Sequence, residues 1–125
     1  MSLFRITALA MIFAGTVAAG GAQAADAGAG KTVFNRCAIC HSNTKGAPNK
    51  IGPNLFGIVG RKAGTAPNFS YSGAMKNSGI TWNATKLDVY LTHPAQVVPG
   101  TRMAFAGISN AQQRADLIAY LATLK

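Results

Sequence analysis

Cys37, Ala38, Ile39, Cys40 and His41 bring two thiols and an imidazole into one short run. Both cysteines of the 125-residue chain lie here, and so does one of its two histidines. Three chemistries use such groups. Two thiols three positions apart on one helical turn can each add to a vinyl group of a haem. The histidine that follows then turns its imidazole towards the iron, and Cys-x-x-Cys-His is a haem-attachment spacing. A thioredoxin-like redox pair or a structural disulfide needs no histidine there and expects alternating strands and helices, which the flanking sequence lacks. A tetrahedral zinc site wants four ligands, and after these three only the distant His93 remains as a strong donor. Covalent attachment of one haem through two thioether links is the reading that uses all three side chains.

An electron-transfer haem closes its iron with a sixth ligand, usually methionine or histidine. His93, Met75 and Met103 are the candidates. His93 precedes Pro94 at a predicted helix end, where the helix dipole favours a cation. Methionines most often fill core gaps. Met103 follows Pro99-Gly100-Thr101-Arg102 in an irregular stretch that a rigid turn could hold against the iron. Spacing ranks it only weakly above Met75. If the sixth position were open, the chain would instead be a haem-c enzyme such as a peroxidase, or a redox or gas sensor. A sensor is normally fused to a partner domain, for which this length leaves no room.

The elements that would position these groups are helical. Gly30 to Cys40 reads as a helix, after an Ala/Gly-rich start over 25–30 expected to fray. Gly, Pro and Asn recur from 42 to 70, a long loop-like stretch that a haem to wrap around would explain. Asn83 caps a predicted helix running to about His93, with Leu87, Tyr90 and Leu91 apolar and Pro94 as its stop. A last helix starts near Ser109, where Ser109 and Gln112 have capping-box spacing. Leu117, Ile118, Tyr120, Leu121 and Leu124 form its apolar stripe. No strand pattern appears, so the fold class is all-α. So small a core needs the porphyrin to complete it, and the haem-free chain is expected to be largely unfolded.

The first 24 residues read as a cleaved secretory signal peptide. Arg5 gives the positive start, Ile6 to about Ala19 the apolar run, and Ala22-Gln23-Ala24 the cleavage site. The apolar run is short for a retained membrane anchor. Residues 25–125 then form one domain, placed in the periplasm, where bacteria attach haem to such motifs. Lys and Arg number 12 against 3 acids, a formal charge of +9. Losing the leader removes Arg5 alone and leaves +8. The basic residues are spread singly apart from Arg61-Lys62, which with export argues against nucleic acid and for an acidic protein partner.

Several further motifs occur in one order over nearly the whole mature chain. They are Gly52-Pro53-Asn54-Leu55, Gly60-Arg61-Lys62-Ala63-Gly64, Tyr71-Ser72, Gly79-Ile80-Thr81-Trp82, Tyr90-Leu91, Pro99-Gly100-Thr101-Arg102-Met103 and Asp116-Leu117-Ile118-Ala119-Tyr120-Leu121. With the attachment run they make the chain resemble a class I cytochrome c, close to bacterial cytochrome c2 and the mitochondrial protein. The resemblance implies helices and long irregular loops around one covalent haem c. It implies iron held by His41 and Met103, with the Pro53 carbonyl accepting the imidazole proton. Arg61, Tyr71 and Trp82 match residues that hold a buried propionate, and Tyr90 matches the tyrosine near the methionine sulfur. The implied activity is a soluble, monomeric periplasmic electron carrier and not an enzyme. The implied donor is a cytochrome bc1 complex or another reductase, and the acceptor is a terminal oxidase or a photosynthetic reaction centre. Acidic partners would dock on a basic haem-edge face including Arg36, Lys50 and Arg102, with Lys31 nearby. Two departures stand out. Met75 replaces a residue often polar in mitochondrial relatives, and Ala95, Gln96, Ser109 and Asn110 thin the basic ring.

Overall fold

The computed structural model describes residues 24–125, together with Ala14 and Gly15. Nearly all of the leader expected over 1–24 therefore lies outside the described residues. The described chain is helical and irregular: α1 (Ala27–Val33), a 3-10 turn (Phe34–Arg36), α2 (Gly73–Lys76), α3 (Ala84–Thr92), α4 (Pro94–Val97) and α5 (Ala111–Ala122). A single antiparallel bridge, Lys62 to Thr81, is the only strand-like pairing among these residues.

α1 starts earlier and ends earlier than its composition predicts. The Asp26 carboxylate accepts from the Gly28 and Ala29 N–H groups at 2.8 and 3.2 Å, satisfying donors that a helix start leaves bare. The Asp26 N–H is itself held by Asp116 Oδ1 at 2.8 Å, from 90 positions away. The segment expected to fray is thus capped and anchored. Past Val33 the helix tightens. Cys37 N–H bonds to the Phe34 carbonyl at 2.7 Å and Cys40 N–H to the Cys37 carbonyl at 3.0 Å. The attachment run lies beyond α1 as a turn that mixes these bonds with α-type ones, Ala38 N–H to the Phe34 carbonyl and His41 N–H to the Cys37 carbonyl, both 2.9 Å.

α1 packs across α5. Gly30 is buried at the crossing, where a Cβ would run into the Asp116 carbonyl and approach the Tyr120 Cβ to 2.8 Å. The crossing brings the Phe34 and Tyr120 rings to 5.4 Å between centroids. Leu117 is fully buried, with Ile118 and Leu121 beside it. Leu87, Leu91, Val98 and Ile108 extend the same core from α3 and the segments after it. The stripe read from sequence is therefore the packed face.

Asn83 caps α3 as predicted, its side chain accepting from Lys86 N–H at 2.8 Å. Pro94 ends α3 but also opens α4, because a proline at the first helical position forfeits no helical bond. The cap of α5 is Asn110, which accepts from Gln113 N–H at 2.9 Å, and not Ser109. Gln112 instead donates to Asp116 at 2.9 Å. The small α2, which sequence periodicity missed, is started by Ser72 Oγ accepting from Met75 N–H at 3.1 Å.

Residues 42–70 form a belt without helices, tied by side chains to backbone. Asn54 Nδ2 donates to the Thr44 and Ala47 carbonyls at 2.8 and 3.0 Å, while its Oδ1 accepts from Phe56 N–H at 2.9 Å. Asn49 reaches the Pro67 carbonyl at 2.9 Å, and Ser42 Oγ the Pro48 carbonyl at 2.6 Å. The belt meets the C-terminal helix through Gly57 N–H and the Leu124 carbonyl, 2.6 Å apart.

Candidate cofactor site

Between the attachment turn, the belt, α3 and the 99–105 loop lies a mostly apolar cavity of about 540 Å³. All nine residues singled out from sequence line it: Cys37, Cys40, His41, Pro53, Arg61, Tyr71, Trp82, Tyr90 and Met103. Met75 lines it too, whereas His93 is exposed and does not. Of the three candidates for a sixth ligand, the two methionines line the cavity and the histidine does not. A neighbouring hollow of about 580 Å³ shares Arg61 but contains none of the thiols, the imidazole or the thioethers.

His41 is set by its backbone neighbours. Its Nδ1 lies 2.7 Å from the Pro53 carbonyl. A carbonyl only accepts, so Nδ1 carries the proton and Nε2 keeps a free lone pair. Burial holds the ring below its ordinary pKa. The Pro53 bond opposes that, while the Lys50 and Arg61 charges add to it. The neutral imidazole, the form that binds a metal, is favoured. The ring lies flat against Gly52, where a Cβ would come within 2.7 Å of Nδ1. Only glycine leaves room for it.

Across the cavity, the Tyr90 hydroxyl donates towards Met103 Sδ at 3.8 Å. Burial raises the Tyr90 pKa, with a hydrogen bond to Thr101 opposing it, so the phenol stays a donor. Met103 N–H donates to Thr101 Oγ1 at 3.3 Å, and Phe105 N–H to the Met103 carbonyl at 3.0 Å. These short links hold the thioether on a loop that carries no helix.

Arg61 is half-buried and donates to the Asn54 and Phe56 carbonyls at 3.0 and 3.3 Å. It faces no side-chain carboxylate. Of the chain's three acids, Asp26 caps α1, Asp88 pairs with Arg114 at 2.9 Å, and Asp116 is buried against the Asp26 N–H. Burial pushes the Arg61 pKa down. Tyr71 sits beside it, its hydroxyl accepting from Ala66 N–H at 3.0 Å. Trp82 is buried, with its ring 4.8 Å from that of Tyr90. A cation without a protein anion at the edge of an apolar cavity calls for a carboxylate on whatever fills it.

The two cysteines form no disulfide with each other, and both are half-buried. Burial pushes the Cys37 pKa up to about 11, with Arg36 opposing. The donor set fits a flat, apolar, carboxylate-bearing macrocycle with a central metal: two thiols could anchor it, an imidazole and a thioether could bind its metal, and a guanidinium could meet its acidic edge. Sequence reading missed part of the wall. Leu55, Phe69 and Phe105 line the cavity, as do Leu87, Leu91 and Leu121, which it assigned to core alone. The apolar stripes of α3 and α5 serve both surfaces.

The basic residues read as a docking face are exposed. Arg36 and Arg102 stand on the cavity rim. Lys50 is tied by its ammonium to the Ala38 carbonyl.

The family model described as cytochrome c matches residues 27–125. The cytochrome c2 of Rhodomicrobium vannielii is 50% identical over 92% of this chain and 93% of its own length. That of Blastochloris viridis is 47% identical over 88% of this chain and 85% of its own. The cytochrome c of the plant Guizotia abyssinica is 48% identical over 80% of this chain and 91% of its own.

Proposed function

The chain belongs to the cytochrome c family, with one covalently bound haem c and an electron-carrying role that is not enzymatic; on that premise, we propose a periplasmic shuttle with iron held by His41 and Met103. When bound, the haem supplies an iron that gains or loses one electron. The remaining work falls to side chains already placed by the fold.

Cys37 and Cys40 are the two points of thioether attachment in this reading. The Pro53 carbonyl fixes the tautomer of His41 and raises the basicity of its free nitrogen. Tyr90 orients the Met103 sulfur, and Thr101 holds the Met103 backbone. Methionine ligation and the apolar wall would both favour the reduced state of a bound haem, because the oxidised state would add a positive charge to an apolar site. Arg61, Tyr71 and Trp82 hold the acidic edge. The observation that carries the reading is that His41 and Met103 line one cavity together with both thiols. An open sixth position, as a peroxidase or sensor would need, has no support in that arrangement.

The run from Arg5 to Ala24 supports export and cleavage before Ala25. Among the described residues no helix is long and apolar enough to cross a membrane. Exposed Arg36, Lys50 and Arg102 support docking of acidic redox partners: a bc1-type complex as donor, and a terminal oxidase or reaction centre as acceptor. The test is spectroscopic. The ferric protein should show the weak near-infrared band of sulfur ligation. Met103→Ala should abolish it, lower the potential and open the iron to small ligands, with the haem still attached. An unchanged band in that variant would overturn the ligand assignment. Met75→Ala should retain the band.

A further inference from the structure

Asp116 is 7% exposed and stands where α5 meets the start of α1. Its Oδ1 accepts from the Asp26 N–H at 2.8 Å and from Gln112 Nε2 at 2.9 Å. Among the described residues no cation pairs with it, and the ion pair that they do form joins Arg114 to Asp88. The other charged or titratable groups on the two helices are committed or distant. Arg114 also donates to the Ile108 and Ser109 carbonyls, the Tyr120 hydroxyl accepts from Asn43, and Lys31 belongs to the last turn of α1. The exposed Asp26 carboxylate covers the Gly28 and Ala29 N–H groups and adds a second negative charge. A buried carboxylate held by two neutral donors is an unfavourable arrangement that a nearby cation would relieve.

Cleavage of the chain brings such a cation to the spot. Before cleavage the Ala25 nitrogen belongs to a neutral amide, and the carbonyl of that amide, on Ala24, accepts from Gln112 Nε2 at 3.4 Å. Gln112 thus touches the expected cleavage site and the buried carboxylate together. Hydrolysis of the amide consumes one water. It leaves a carboxylate on Ala24, which departs with the leader, and an ammonium on Ala25. That ammonium is joined to the Asp26 nitrogen through only the Cα and carbonyl carbon of Ala25, a reach of less than about 4 Å. The Asp26 nitrogen is the atom already 2.8 Å from Asp116 Oδ1. A helix start disfavours a cation, but here the Asp26 carboxylate already covers the leading N–H groups.

We propose that loss of the leader before Ala25 completes the α1–α5 crossing, the new N-terminal ammonium serving as the counter-ion of the Asp116 carboxylate. This rests on the export and cleavage reading and specifies what cleavage does to the protein left behind. The chain that still carries its leader closes this end of the crossing with hydrogen bonds alone, and the mature chain adds an ion pair. Beside a carboxylate, the amine keeps its proton above its ordinary range of about 7.7–8.0. The stabilisation is therefore fully present below that range and fades as pH rises through the raised value.

The test compares the haem-loaded mature protein beginning at Ala25 with the same protein acetylated at the Ala25 nitrogen. Acetylation restores a neutral amide with a carbonyl in the place of that of Ala24, so Gln112 keeps its partner and the charge is lost. In denaturant unfolding at about pH 7, acetylation should raise the unfolding constant about three- to fivefold, and the difference should vanish by about pH 10. Asp116→Asn, which keeps the Oδ1 acceptor, should erase the effect of acetylation. By NMR, the Ala25 amine of the unmodified protein should titrate above its ordinary range. Equal or greater stability of the acetylated protein at pH 7, or an amine that titrates in its ordinary range, overturns this inference and leaves the cleavage reading standing. A loss that persists at pH 10, or in the Asp116→Asn protein, would assign the effect to something other than the ion pair and overturn it too. N-terminal sequencing of the exported protein checks the premise: a first residue other than Ala25 overturns the cleavage reading and this proposal together.

Discussion

The α1–α5 crossing and the 42–70 belt hold their shapes by opposite means. At the crossing, apolar side chains meet directly: Leu117 has no exposed surface, the Phe34 and Tyr120 rings meet at 5.4 Å with their planes tilted by 57°, and Gly30 lets the two backbones approach. The belt sends only Ile58 and Ala63 into the common core. It is tied through Asn49, Asn54, Ser42 and Arg61, each bonding to a backbone carbonyl, while its apolar residues Leu55 and Phe69 turn to the cavity wall. One region is packed wholly against protein, and the other largely against whatever fills the cavity. The crossing should therefore tolerate loss of the cofactor better than the belt does.

Removing the attachment points breaks that comparison most severely. Cys37→Ala/Cys40→Ala should yield a haem-free chain in which the belt amides exchange with solvent almost freely. Any residual helix should map to α1 and α5. Hydrogen exchange read residue by residue checks this, and a belt that keeps its protection would mean that its own hydrogen bonds suffice. The physical reason to expect otherwise is that each such bond contributes only about 0.5–1.5 kcal/mol net, less than the entropy of ordering one or two loop residues.

Next in size is Leu117→Ala, which should cost about 2–5 kcal/mol in denaturant unfolding of the haem-loaded protein. The visible spectrum should stay as it is, because Leu117 does not line the cavity. A loss well under that range would mean the crossing is not where stability resides. Asn54→Ala probes the belt in the same way. It removes two donated bonds and one accepted bond, and should cost about 1–3 kcal/mol. Here the change should reach the cofactor, because Arg61 donates to the Asn54 carbonyl and stands on the cavity wall. A shifted potential with modest destabilisation would sharpen the contrast, and an unshifted one would detach the belt from the site.

What the sequence disclosed follows the same division. Local chemistry was readable: Asn83 as a cap, the α5 stripe, and two thiols and an imidazole at attachment spacing all depend on near neighbours. The nine candidate residues were placed by a chain of motifs, and the cavity gathers every one. What escaped depends on distant partners. Asn110 displaced Ser109 as the α5 cap because Gln112, the other half of the supposed box, is bonded to Asp116. Gly52 is composition-neutral in a loop, and its role against the His41 ring appears only when the two are brought together. The belt was legible as irregular from Gly, Pro and Asn, but which carbonyl each asparagine would reach was not.

The smallest effect tests the place where sequence reading and structure parted most clearly. Residues 25–30 have the composition of a frayed end, yet α1 begins at Ala27. Two ties compete as the cause: the Asp26 carboxylate over the first turn, and the Asp26 N–H on Asp116. Asp26→Ala separates them, since it removes the first and keeps the second. If the cap starts the helix, the loss should be about 1 kcal/mol, and the Gly28 and Ala29 amides should exchange faster. The spectrum and potential should not move, because Asp26 is at the far end of α1 from the attachment turn. If the anchor to Asp116 suffices, stability will be unchanged, and the start of α1 belongs to the crossing and not to its own sequence.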